Sequence, residues 1–481
     1  MSGVTRPSVP VLQFLGATGT VTGSRFLLDT PRARVLIDCG LYQGRKELRA
    51  RNWAPFPVDP ASIDAVLLTH AHVDHSGYLP ALGRHGFRGF VVSTVRTAEL
   101  CAILLPDSAH LQEEEAAYAN RVGYSKHHPA CPLFTRDDAR AILEAFRPVA
   151  FGAPVEVADG VRALFRPAGH ILGSASIRIE VDGASPRSIL VSGDLGRPFH
   201  PLLVPPAPPL PADAILVEST YGDRQHDESR ALEALASVLS RTAERGGVAV
   251  IPAFAVDRTE VVLHQLKRLR AEGRIPPLPV YADSPMALSA LGVYRRAIAA
   301  GDLEIRPDLR GAPDPFDPGD LREARDVESS KAISSERGPA IIISASGMAT
   351  GGRVLHHLAA RLPDPRNAVI LVGFQAEGTR GGRLLGGAAN LKMLGRYVPV
   401  RAEIVDLCAL SVHADRQEIL DWLRPTEAPA VAYVVHGEAS AARSLCDGVV
   451  GELGWNAVVP GHLERVQIEP AGAGGGRRCF G

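Results

Sequence analysis

Residues 68–77 read LTHAHVDHSG and place His70, His72, Asp74 and His75 within six positions. Imidazole nitrogens mixed with a carboxylate are the ligand types of zinc, and equally of manganese or iron. The preceding VLLT is strand-like, and residues i and i+2 of an extended chain share one side. His70 and His72 are therefore expected to grip one metal together. Asp74 and His75 fall where the chain turns towards a helix and point at a second position. A helix through all four would scatter them around its circumference. A polar loop that merely happens to contain histidine would explain one of them, but not this spacing.

His70 and His72 leave a zinc short of ligands. His170 follows the apolar run VRALFRPAG and opens HILGSA, whose small residues let chains approach closely. Asp194 ends RSILVSGD beside Gly193. Alone, each would be an ordinary strand-end residue; near a cluster that needs ligands, each becomes a candidate. His413 lies in LSVHADR between a strand and a helix, and His436 ends AYVVHGE. Glu218 is the only carboxylate in the apolar run LVEST. A strand-end carboxylate can orient a histidine and favour its protonated form, as general-acid catalysis requires.

The elements that must position these residues change character along the chain. Short apolar runs separated by turn signals (VPVLQFLG, SRFLLD, RVLIDCG, AVLLTH, GFVVST) predict a strand-rich layer at the start. LQEEEAAYANRV reads as a charged helix. Seven prolines between Pro198 and Pro211 exclude a central strand or helix interior and predict a stiff surface connection. Beyond ADAILVEST, strands VAVIPAF, PVYAD, AIIISAS and AVILVGF alternate with helical stretches, which predicts a parallel, doubly wound sheet over 223–409. Within it, SASGMATGGR offers Ser346, Gly351, Gly352 and Arg353 at a strand-to-helix turn, a place that suits phosphate. GTRGGR adds Arg380 and Arg383, expected on a flexible loop.

Hydrophobic residues make up 46% and charged residues 22% of the 481, an ordinary soluble composition. The formal net charge of −1 gives no global attraction to nucleic acid, so a polyanion must be held by local positive charge. No apolar run reaches the length of a membrane span, and MSGVTRPSVPVLQFLG lacks the pattern of a secretory signal. Six separated cysteines without a CxxC fit a reducing cytoplasm. Whether the chain forms a homo-oligomer is left open.

Taken in order, LIDCG with Asp38, HAHVDH, GHILGSA, SGDLG, VEST, SVHAD and VHGE resemble the motifs of the metallo-β-lactamase-fold nucleases of the β-CASP family. IPAFAVDRTE, SASGMATGGR and GFQAEGTRGGRLLGGA match in kind, so the resemblance covers nearly the whole chain. It implies an αββα metallo-β-lactamase domain from 1–222 and 410–481, interrupted by an α/β β-CASP domain at 223–409, with catalysis in the cleft between them. It further implies that His70, His72 and His170 bind one zinc and Asp74, His75 and His436 another. Asp194 would bridge the two ions, Asp38 would support a ligand without touching metal, and Glu218 with His413 would form an acid pair. The implied activity is two-metal hydrolysis of single-stranded RNA to 5′-phosphate and 3′-hydroxyl ends. Lactonase or thioesterase chemistry on the same fold, a DNA-directed nuclease and a metal-poor scaffold are the competitors. The small-molecule enzymes lack the inserted unit, and scaffolds lose ligands that this chain retains. The family usually carries a small residue just before its SVHAD-motif histidine and often Gly or an aromatic two positions earlier; here those positions hold Val412 and Leu410.

Overall fold

The computed structural model describes residues 6–123, 125–184, 186–336, 338–376 and 378–471. The chain forms two compact units, one of Met1–His200, Val204–Gln225 and His413–Gly481, the other of Pro201–Leu203 and His226–Val412.

In the first unit, strands with one face on a core show the expected period of two. Along Val161–Pro167, for example, Val161, Ala163 and Phe165 are buried while Arg162 is exposed. One seven-stranded sheet includes, as neighbours, Val11–Phe14, Phe26–Asp29, Arg34–Ile37, Ala65–Leu67 and Phe90–Thr94. A second contains Val431–Val434, Ala214–Val217, Arg187–Val191, Ala175–Val181 and Val161–Pro167. Phe14, Leu28, Ile37 and Leu67 of the first pack with Phe165, Ile177, Ile189 and Leu216 of the second in a single apolar layer. On its other face, the second sheet sets Leu190, Ile215, Val217 and Val434 against Ile419, Leu420, Leu445 and Val449. These come from helices Arg416–Leu423 and Ala439–Leu453. Neighbouring residues Ile189 and Leu190 thus serve opposite faces, which is why that strand reads as a continuous apolar run. The result is the αββα sandwich that the resemblance implied.

Arg34–Ile37, Ala65–Leu67 and Phe90–Thr94 run parallel, as do Arg187–Val191, Ala214–Val217 and Val431–Val434. Segments leaving the carboxyl ends of parallel strands collect along one sheet edge, where α/β proteins bind ligands.

The second unit is built on six parallel strands. From Val248–Pro252 the sheet extends on one side through Ala340–Ser344, Val280–Ala282 and Leu321–Glu323, and on the other through Ala368–Leu371 and Glu403–Asp406. Ala340–Ser344 is buried along its whole length, as a central parallel strand should be.

Two expectations need correction. Within the proline-rich connection, Leu202 and Leu203 are buried, and Leu203 bridges Ile305, so this short piece belongs to the second unit. Prolines forbid a ladder interior but leave an isolated bridge open. Arg380 and Arg383 are not on a loop: Arg380–Leu385 is a short helix whose N-cap, Thr379, accepts a hydrogen bond from the Gly382 amide. The cap offsets the cost of two glycines in the first turn. No helix among the described residues is long and apolar enough to cross a membrane.

Candidate metal centre

The strand before the first histidines ends at Leu67, and His70 and His72 lie in the short segment between it and the helical turn Val73–Ser76. The expected juxtaposition nevertheless holds, with His70 Nε2 3.1 Å from His72 Nδ1. His170, three residues beyond the strand Val161–Pro167, brings its Nε2 to 3.3 Å from the same His72 nitrogen. Across the site, His75 Nε2 and His436 Nε2 stand 3.1 Å apart, and Asp74 Oδ2 is 3.6 Å from His436 Nε2.

Asp194 lies between these groups. Its Oδ1 is 3.2 Å from His75 Nε2 and 3.3 Å from His436 Nδ1. Its Oδ2 is 3.5 Å from His70 Nε2 and 3.7 Å from His170 Nε2. Donor atoms of His70, His72, His170 and Asp194 come within one metal's reach of one another, as do those of Asp74, His75 and His436.

The donor set fits metal ions better than it fits a hydrogen-bond network. In a tetrahedral site with zinc–nitrogen bonds of about 2.0–2.1 Å, ligand nitrogens are separated by roughly 3.3 Å, the spacing found here. Burial, reinforced by charge on His75, holds His70 well below the usual imidazole range; burial and His413 do the same to His170, and burial lowers His72. Neutral imidazole is the ligating form, and neutral rings meeting nitrogen to nitrogen cannot all be satisfied by each other. On the other side, burial alone would lower His75 and His436, but neighbouring carboxylates outweigh it and raise both: Asp194 and Asp38 for His75, Asp194 and Asp74 for His436. Burial opposes the ionisation of Asp194, yet His436, His75 and His70 together keep its carboxyl well below the ordinary carboxylate range. The pocket thus draws protons into the place a cation would take.

Supporting groups fix these ligands. Asp38 Oδ2 lies 2.7 Å from His75 Nδ1, while Oδ1 accepts hydrogen bonds from the amide and hydroxyl of Thr69 at 2.8 and 3.0 Å. The Thr69 hydroxyl is also 3.1 Å from His70 Nδ1. Nothing in residue spacing marks a threonine for this role; its one cue is its place directly before the first histidine. Asp38 and His436 have φ of +55° and +50°, a region few non-glycine residues occupy. Such strain persists where the surroundings over-determine it: the Asp38 amide donates to Leu67 O at 2.9 Å and the His436 amide to Ala17 O at 2.7 Å.

Glu218 follows the strand Ala214–Val217 and is buried. Its Oε1 accepts from the Leu195 amide at 2.6 Å and lies 3.3 Å from His413 Nδ1; its Oε2 accepts from the Thr220 amide at 3.2 Å. Asp194, Glu218 and His436 also form a possible donor group, but both Glu218 oxygens are already taken by backbone amides. His413 is held by a bridge to Gly196, and Asp415 by another to Tyr221. The side chains of Val412 and Leu410 are buried, and their bulk does not take His413 away from Glu218.

The six residues expected to contact phosphate all lie in the second unit. Ser346 Oγ is 2.9 Å from Thr350 Oγ1. Gly351 has open space around it, and Gly352 has a φ of +75°. Arg353 donates to Asp283 Oδ1 at 2.8 Å, Arg380 to Thr350 O at 2.9 Å, and Arg383 to Asn390 O at 3.3 Å. These guanidinium groups brace the unit itself.

Close approach of backbone also builds the metal site. A Cβ on Gly40 would fall 1.5 Å from Asp74 O and 2.8 Å from His75 N, in the turn that carries two candidate ligands. Gly40→Ala should therefore lower stability by roughly 1–3 kcal/mol or more and reduce bound metal. Thermal denaturation with metal analysis checks this; an unchanged melting temperature would show that the turn has room.

Comparison with known proteins agrees with the fold and with a metal-dependent hydrolase. Residues 19–238 match the metallo-beta-lactamase superfamily, 259–384 the Beta-Casp domain, and 397–460 the Zn-dependent metallo-hydrolase RNA specificity domain. The chain is 39% identical over 431 residues to Ribonuclease TTHA0252 of Thermus thermophilus, covering 89% of this chain and 94% of that one. It is 30% identical over 432 residues to the RNase J-like protein of Methanocaldococcus jannaschii, covering 89% and 92%. It is also 30% identical over 474 residues to the transcription termination factor FttA of Methanosarcina mazei, covering 94% and 71%. Architecture, donor geometry and these likenesses agree, and the chain belongs to the β-CASP family of metallo-β-lactamase-fold hydrolases.

Proposed function

We propose that the protein is a zinc-dependent ribonuclease that hydrolyses RNA phosphodiester bonds and leaves 5′-phosphate and 3′-hydroxyl ends. The observation that carries this reading is the Asp194 carboxylate, one oxygen turned to His75 and His436 and the other to His70 and His170. His70, His72 and His170 would hold one ion, Asp74, His75 and His436 a second, and Asp194 both. When bound, the ions supply Lewis acidity towards a phosphate oxygen and a hydrolytic nucleophile at neutral pH. Asp38 holds His75 Nδ1 and so presents Nε2 with a fixed tautomer. Glu218, anchored by two backbone amides, orients His413. His413 then donates a proton to the leaving 3′-oxygen. No group activates the ribose 2′-hydroxyl in this scheme, which is why the product ends in a free 3′-hydroxyl rather than a cyclic phosphate.

RNA as substrate is supported by the names of two relatives, a ribonuclease and an RNase J-like protein. The test compares end-labelled single-stranded RNA and DNA of one sequence, with zinc supplied and salt held fixed, because phosphate binding depends on salt. RNA should be cut far faster than DNA, with 5′-phosphate on the downstream product. Equal cleavage of the two would remove RNA selectivity. Lactone or thioester hydrolysis without nuclease activity would replace this reading with a small-molecule one.

A further inference from the structure

From Gly378 to Ala402 the chain carries Arg380, Arg383, Lys392, Arg396 and Arg401 and no aspartate or glutamate, in a protein whose formal net charge is −1. This is the local positive charge that a near-neutral chain needs to hold a polyanion. The segment contains a hairpin, Asn390–Met393 paired with Arg396–Pro399, separate from the six-stranded sheet. Leu394 and Gly395, with φ of +49° and +76°, make its two-residue turn. Leu391, Met393 and Val398 point inwards and join the apolar core of the unit. Lys392 and Tyr397 are direct cross-strand partners, so they share the other face. Both are exposed, and Tyr397 is 71% exposed.

The arginines gather along the same hairpin. Arg380 Nε donates to Lys392 O at 3.0 Å and Arg383 Nη2 to Asn390 O at 3.3 Å. The strand Asn390–Met393 has one partner strand, so these guanidinium groups lie along its other edge. Burial, and then the charge of Arg383, lower the pKa of Arg380, so the two cations lie close enough to repel. A lone exposed tyrosine needs no explanation. One that stands opposite a lysine, on a strand pair whose edge is lined with arginine, is the combination by which single-stranded nucleic acid is bound: a ring for a base to stack on, with cations along the backbone.

We propose that the outer face of the 390–399 hairpin is a stacking platform for single-stranded RNA. Tyr397 takes an unpaired base, and Lys392, on the same face, holds a flanking phosphate. A duplex buries the base faces that the ring requires, so the partner is single-stranded. The assignment rests on the ribonuclease reading and extends it to a binding subsite.

The experiment measures fluorescence anisotropy of a labelled single-stranded oligoribonucleotide with the full chain, using Asp194→Ala as the background so that the RNA stays intact. Adding Tyr397→Ala should weaken binding about tenfold, whereas Tyr397→Phe should bind as the background does. Lys392→Ala should flatten the dependence of log K on log salt by about 0.7, the value for one phosphate contact on a single strand. Duplex RNA of the same sequence should respond to the charge change but not to Tyr397→Ala. Unchanged affinity in Tyr397→Ala together with an unchanged salt slope would overturn the platform, as would poly-glutamate binding the hairpin better than RNA. If the native chain cuts RNA while the hairpin variants bind normally, the platform alone is wrong; if the native chain cuts no RNA, the ribonuclease reading is wrong.

Discussion

With Asp194 changed to Ala, RNA cleavage should fall by about 10³-fold or more, and bound metal should fall with it. The side chain is fully enclosed by imidazoles, and each oxygen faces a different ligand group. No other described carboxylate stands in both donor groups' reach with free oxygens. Losing several kcal/mol of electrostatic stabilisation at a two-ion site corresponds to a rate loss of that size. Asp194→Asn separates shape from charge: the amide keeps one acceptor and turns an NH₂ towards one of the two groups. It should hold less metal than the parent but more than Asp194→Ala, and remain nearly inactive. Metal analysis by mass spectrometry and the initial rate on labelled RNA give the readout. An Asp194→Ala protein with full activity and full metal content would sink the bridging role, and with it the two-ion scheme.

How much of this could be read beforehand depended on the range of the interactions. The i, i+2 spacing of His70 and His72 is local, and it foretold that their nitrogens meet. It did not foretell that the strand stops at Leu67, because hydrogen bonding to a neighbouring strand decides where a strand ends. The alternation in Val161–Pro167, with Val161, Ala163 and Phe165 inside and Arg162 out, is local too. Ile189, Leu190 and Val191 gave no alternation, since that strand is covered on both faces. Thr69 was silent: its hydroxyl matters only because Asp38, 31 residues away, comes to it. Arg353 reads as a phosphate ligand in SASGMATGGR, yet its guanidinium lies 2.8 Å from Asp283, 70 residues distant. Composition offered no way to see that partner. GTRGGR looked like a loop because glycine dominates it, and the capping hydroxyl of Thr379 tipped it into a helix.

His413 is the residue whose role is easiest to mistake, and its replacement separates two possibilities. Its Nδ1 is 3.3 Å from Glu218 Oε1 and 3.9 Å from Asp194 Oδ2, and its ring centroid is 4.2 Å from that of His170. A histidine so near the cluster could be a ligand. Three observations set it apart. It belongs to none of the donor groups with metal-binding spacing. Its side chain is 13% exposed, against 0% for His70 and His170 and 4% for His436. The Nδ1 that faces the cluster also faces Glu218, whose oxygens are pinned by the Leu195 and Thr220 amides. On our proposal that arrangement orients the ring for proton transfer rather than for coordination. His413→Ala should keep the metal content of the parent and lose about 10² or more in rate, the range for removing a general acid. Glu218→Gln should lose less, since the ring remains and only its orientation weakens. A phosphodiester with a more acidic leaving group needs less proton donation, so it should recover much of the His413→Ala loss and little of the Asp194→Ala loss. If His413→Ala instead releases metal, or if the better leaving group recovers nothing, His413 is a ligand and the proton must come from elsewhere.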